Sequence, residues 1–141
     1  MQPRRTGFTL IELLLVVIII GILAVVAVPR FTMSRQKTFF AAMKSDLRHL
    51  ATAQEIYYTD HNYRYAGSAG LDAAAAPGLE FAESQGVGVT IEESATTGWS
   101  AEATHAGLNF ASQKCAIYWA NAAARAPATQ LGLIACIGEN Q

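Results

Sequence analysis

GFTLIELLLVVIIIGILAVVAVPR, residues 7–30, decides how this chain is to be read, because one carboxylate interrupts an otherwise unbroken apolar run. Between Phe8 and Val28 the only charged residue is Glu12. Those 21 residues would form a helix of about 31 Å at 1.5 Å per residue, which matches the roughly 30 Å hydrocarbon layer of a bilayer. Arg4 and Arg5 precede the run, so its N-terminus is expected to stay cytoplasmic and the remainder to be exported. A carboxylate at the centre of such a span costs about 2.5–3.5 kcal/mol, and somewhat less near an end. A plain anchor for an exported binding domain or enzyme explains the length and orientation of the run but has no use for Glu12. A conventional cleaved signal peptide finds a small-residue pattern at Val25-x-Ala27. Against it, the run is longer than an ordinary signal core, and Pro29 follows at once.

Composition bounds the rest. The chain has 141 residues, enough for one modest domain with one long appended element. Hydrophobic residues make up 52%, and the excess over an ordinary domain lies in the N-terminal run. The net charge of −1 leaves no basic footprint, so direct nucleic-acid binding is not expected. Without Arg4 and Arg5, eight basic residues face eleven acidic ones, a net charge of −3. Cys115 and Cys136 are the two cysteines. One disulfide fits an exported domain, and two buried thiols are the alternative. A bridge would enclose 20 residues and contribute roughly 3 kcal/mol on a loop-entropy account.

Beyond Pro29, where a bend or local melting is expected, the hydrophobic period becomes that of an amphipathic helix. Phe40, Met43, Leu47, Leu50, Gln54 and Tyr57 recur at spacings of three and four, while Lys37, Lys44, Arg48 and Glu55 fall elsewhere. This stem occupies residues 29–60, continuous with the apolar segment, and stops in TDHNYRYAG, where Asp60 and Asn62 favour a turn. Asp60-x-Asn62 has the start of a calcium loop, but the glycine and terminal glutamate that should follow are missing. Residues 61–86 are a connection rich in Ala and Gly. Within it, Asp72 ahead of four alanines and Pro77-Gly78 predicts a single capped helical turn.

From residue 87 the period falls to two. Val87, Val89 and Ile91 share one face, as do Trp99, Ala101, Ala103 and His105, and then Cys115, Ile117 and Trp119. LGLIACI, residues 131–137, is a fourth strand or a stapled terminal segment. Short loops at 94–98 and 106–113 suit an antiparallel meander. The chemistry is sparse. His49, His61 and His105 lie on a stem, a turn and a strand, and none has a cysteine or glutamate at ligand spacing. No nucleophile motif, phosphate loop or dinucleotide fingerprint occurs, so no catalytic residue, metal site or cofactor is assigned.

Gly7-Phe-Thr-Leu-Ile-Glu12, with a short basic leader before it and an apolar helix and Pro29 after it, resembles the type IV pilin family, including the pseudopilins of type II secretion systems. The strong match covers about residues 4–31, and GWSAEATH followed by KCAIYW resembles the sheet region of that family more loosely. The resemblance implies an α+β fold, a long N-terminal helix packed on a C-terminal antiparallel sheet of three to four strands. It implies that residues 1–7 are a leader, removed between Gly7 and Phe8 by a prepilin peptidase that also N-methylates Phe8. Residues 8–28 would then be the membrane and filament-core helix, with Pro29 a kink, and Cys115 and Cys136 would form the terminal disulfide of residues 87–141. Glu12 would be the charge drawn to the new amine of a neighbouring subunit. The spacing agrees with that role, since positions four apart lie on one helix face and a paired charge in apolar surroundings costs far less than a lone one.

The function so implied is that of a non-enzymatic subunit, held in the inner membrane as a single-pass precursor and then built into a cell-surface pilus for motility, adhesion or DNA uptake. Its partners would be copies of itself in a helical filament and the pilus or secretion assembly machinery. The alternative within the family is a pseudopilin in a short periplasmic filament.

Overall fold

The chain folds as one long helix followed by a four-stranded antiparallel sheet. The structure is a computed structural model that describes residues 7–66, 78–95, 98–108 and 112–139, and of residues 92–95 the backbone alone. It divides into two compact units, Met1–Arg35 and Gln36–Gln141. The capped turn expected at residues 72–76 lies outside the described residues.

Helix α1 spans Leu10–Asp60 and carries Pro29 in its interior without interruption. Local melting at that position is therefore absent here. The fixed φ of proline is itself helical, and one backbone bond is all that the missing N–H forfeits. Just beyond it, the Thr32 hydroxyl donates to the Val28 carbonyl at 3.1 Å. The helix stops where Asn62 and Tyr63 take positive φ angles of 55° and 59°. The Tyr63 N–H then closes back on the Tyr58 carbonyl at 3.0 Å, the wide bond of a Schellman stop.

Within the second unit, α1 buries Phe40, Met43, Asp46, Leu47, Leu50, Ala53 and Gln54, a stripe at helical spacing. Strands β1 (Val87–Ala95), β2 (Gly98–His105), β3 (Cys115–Ala120) and β4 (Ala135–Cys136) pair in chain order. The register sets Val89 opposite Ala103, Ala103 opposite Cys115, and Cys115 opposite Cys136. The next row holds Ile91, Ala101 and Ile117, and the row after it Trp99 and Trp119. These alternate residues form one core with Phe40, Met43, Leu47 and Leu50 of α1. Ala101 and Ala103 on the central strand carry small side chains, which leaves room for the larger residues of the stem.

The outer face of the sheet is covered in part, with Ser100 and Ala116 buried while Gly88, Thr90 and Thr104 stay exposed. The Tyr118 hydroxyl donates to the Thr129 carbonyl at 3.2 Å, and the Gly132 N–H donates to the Tyr118 carbonyl at 2.9 Å. Gly132 has φ 70°, and a Cβ there would run into the Trp119 ring, so this return needs glycine. Glu102 on β2 holds Lys114 at 2.7 Å and Arg125 at 3.4 Å, tying the segment after β3 to the sheet. Cys115 and Cys136 are joined by a disulfide across the β3–β4 pair.

Leu47 is fully buried, and Leu47→Ala should lower the unfolding free energy by about 2–5 kcal/mol. Reducing the Cys115–Cys136 bridge should remove about 3 kcal/mol. Denaturant titration of the detergent-solubilised chain measures both.

Candidate functional site

In the first unit the helix has no inward face. Every large hydrophobic residue between Phe8 and Val28 is exposed, from Leu10 at 88% to Val16 at 44%. The most apolar 18-residue window has a mean hydropathy of 3.2, and none of it is buried. A surface this apolar on all sides requires cover from lipid or from other protein. An added Cβ at Gly7 or Gly21 meets nothing within 4 Å, so no packing among the described residues explains either glycine.

Glu12 lies in the first turn of α1. Its Oε2 accepts the Thr9 N–H at 2.9 Å and the Thr9 hydroxyl at 2.8 Å, while the Glu12 N–H donates to Thr9 Oγ1 at 3.3 Å. This is a capping box, with Thr9 as the N-cap and Glu12 at the third helical position. Sequence reasoning on charge alone misses that role, although Thr-x-x-Glu ahead of an apolar run signals it. Two donors of Thr9 converge on one carboxylate oxygen, and among the described residues Oε1 takes no hydrogen bond. The carboxylate thus caps its own helix and keeps an oxygen open to another donor. Phe8, four residues ahead, is 81% exposed.

In the second unit the three histidines stay apart. His61 stacks on Tyr57 with ring centroids 3.8 Å apart, and His105 stacks on Phe39 at 4.0 Å. His105 Nδ1 also accepts the Gly107 N–H at 2.9 Å. Among the described residues no three His, Cys, Asp or Glu side chains are grouped to hold a metal ion.

Two buried polar residues on the stem stripe were less legible. Gln54 accepts the Ala66 N–H at 2.8 Å, which fixes the chain just after the helix. Asp46, 1% exposed, accepts the Ser84 N–H and hydroxyl, both at 2.7 Å. It anchors the segment leading into β1 against the stem, and nothing local in the sequence announces the pairing. Tyr65 donates to Glu55 Oε1 at 3.2 Å. Burial first, and then the neighbouring Glu55 charge, push its hydroxyl up to about 12.

Comparison with known proteins matches the N-terminal segment to a motif and about half of the chain to relatives. A model of the prokaryotic N-terminal methylation motif matches residues 2–28. The type IV major pilin protein PilA of Myxococcus xanthus is 43% identical over 65 residues, which is 46% of this chain and 29% of that protein. The type II secretion system core protein G of Aeromonas hydrophila is 39% identical over 74 residues, 52% of each chain. Its counterpart in Klebsiella pneumoniae is 35% identical over 80 residues, 56% of this chain and 57% of that protein. The chain thus spans about half the length of the core G proteins it matches and under a third of the pilin.

Asp46→Ala should destabilise the second unit by about 1–3 kcal/mol, measured by chemical denaturation. Because the Tyr65 pKa is raised on folding, its contribution to stability is whole below the ordinary tyrosine range and is lost as pH rises toward about 12. Ultraviolet titration should find one tyrosine ionising late, and Glu55→Gln should bring that step down.

Proposed function

We propose that this chain, whose N-terminal segment matches the prokaryotic N-terminal methylation motif and which is similar to a type IV pilin and to type II secretion core G proteins, is a structural subunit of a type IV pilus. In this reading the leader, residues 1–7, is removed after Gly7, and Phe8 becomes the N-methylated first residue. The helix of residues 8–28 rests in the inner membrane and then passes into the core of an extracellular filament, bending at Pro29 as it leaves the bilayer. One observation carries the proposal: a spanning helix exposed all round bears a single carboxylate, one turn from the residue that would become the terminus. Cleavage before Phe8 creates a cationic amine, and Glu12 Oε1 is open to receive one. When the amine comes from a neighbouring copy, both charges are satisfied only in the assembled register. The exchange from lipid to filament replaces one apolar surrounding by another, so hydrophobicity alone favours it little. The ion pair and close helix packing supply the difference.

A second reading, a pseudopilin of a type II secretion system, is favoured by the core G relatives, of which a larger share is matched than of the pilin. The Cys115–Cys136 bridge leans toward the pilus. Deleting the chain separates the two: loss of sheared surface filaments under the electron microscope supports a pilin, and loss of secretion with normal pili supports a pseudopilin.

The capping box sharpens the test of Glu12. Glu12→Gln keeps a side chain that can cap but removes the charge, whereas Thr9→Ala removes the cap and keeps the charge. The proposal expects Glu12→Gln to be processed to methyl-Phe8, by mass spectrometry of the mature terminus, yet to yield at least tenfold fewer filaments. Thr9→Ala should lose about 1 kcal/mol of helix stability and still assemble. Wild-type filament yield from Glu12→Gln would overturn the charge-pairing role.

A further inference from the structure

The exposed side of the stem carries a charge arrangement that a single chain leaves unused. Lys44, Arg48, Thr52, Ile56 and Asp60 are spaced by four along α1 and form one ridge. Two grooves of similar size adjoin this ridge and meet at Thr52. One, of about 370 Å³, is lined by His49, Thr52, Ile56, Asp60 and Glu80. The other, of about 380 Å³, is lined by Lys44, Arg48, Thr52, Trp119, Leu133 and Ile134. The first is acidic and the second basic. Each has an exposed aliphatic residue in its wall, Ile56 at 59% and Leu133 at 55%.

The open charges are specific. Lys44 is already committed to Glu139, which leaves Arg48 as the open cation of the basic groove. Among the described residues Arg48, Asp60 and Glu80 have no ion-pair partner. Asp60 also lies in the last turn of α1, which holds no basic residue. The helix dipole disfavours a carboxylate there, so the charge itself gains nothing from the helix end. Arg48 and Asp60 are twelve residues apart, about 18 Å of helical rise, and cannot reach each other within one chain.

We propose that these grooves are the two halves of a contact between copies of this chain, the basic groove at Arg48 of one copy receiving the acidic groove at Asp60 of the next. The occupant is a second copy because the same molecule presents both complementary surfaces. Two different patches meeting make a heterologous contact, which repeats without closing. Opposite charges flanking an aliphatic centre select the register, and like-charged alignments are repelled. With parallel stems, the contact sets an axial stagger of about 18 Å between the two copies. The inference rests on the filament reading and adds to it the surface by which the sheet-bearing units recognise one another.

The test uses the full chain in cells. Arg48→Glu and Asp60→Lys should each lower the yield of sheared filaments about tenfold, while the two reversals together return it to within about twofold of wild type. Copies carrying Arg48→Cys, expressed beside copies carrying Asp60→Cys, should give a cross-linked dimer on mild oxidation. Both positions are exposed, and the amount of unassembled chain in the membrane fraction reports on folding. A 48–60 cross-link together with reduced yield in the single reversals upholds the contact. Absence of that cross-link overturns it, and so does wild-type yield from both single reversals. If the wild-type chain builds no filament at all, the filament reading fails as well. If filaments form without the cross-link, the proposed contact alone fails.

Discussion

An apolar helix with no face turned to a core of its own is the constraint on which the rest of this molecule depends. Residues 8–28 expose their large side chains on every side, and burying such surface is worth about 25 cal/mol per Å². No packing among the described residues supplies that burial, so it has to come from lipid or from other protein. Both surroundings are apolar, and in the proposed filament the choice between them falls to close helix packing and to the few polar groups at the front of the helix. Thr9 and Glu12 are those groups. Their capping box gives the carboxylate a resting partner in the single chain, so Glu12 is not stranded before assembly. The same geometry leaves one oxygen unoccupied, and the proposed amine from a second copy completes the set.

The sheet-bearing unit solves a more ordinary problem. The stem buries a stripe of its second half against alternate residues of β1, β2 and β3, and the small residues of the central strand admit the larger ones of the helix. The disulfide ties the short β4 to β3. Asp46 and Gln54 add hydrogen bonds from inside the stripe to segments at either end of the connection. Their burial is tolerable because each carboxylate or amide is satisfied by a backbone partner. The face turned away from this core is where Arg48 and Asp60 remain open, and where association between such units is proposed.

Much of this was written locally. A 21-residue run with Glu12 as its one charge is long and apolar enough to cross a membrane, the spacing of Phe40 to Gln54 is a stem, and alternation from Val87 is a sheet, because each depends on neighbours a few residues apart. Gly7, Phe8 and Glu12 were legible as a motif for the same reason, whereas the Thr9–Glu12 cap was missed although Thr-x-x-Glu signals it. Pro29 marked the change of period, but a helix supported on both sides absorbs one missing bond and runs on. What the sequence alone could not determine were the long-range pairings: Asp46 with Ser84, Glu102 with Arg125, and the two grooves on either side of Thr52. Those join residues 23 to 38 positions apart, or distant elements altogether, and no spacing rule reaches that far. Tertiary structure decided them, because only the packed sheet fixes which polar atoms are enclosed with a partner and which charges are left facing outward.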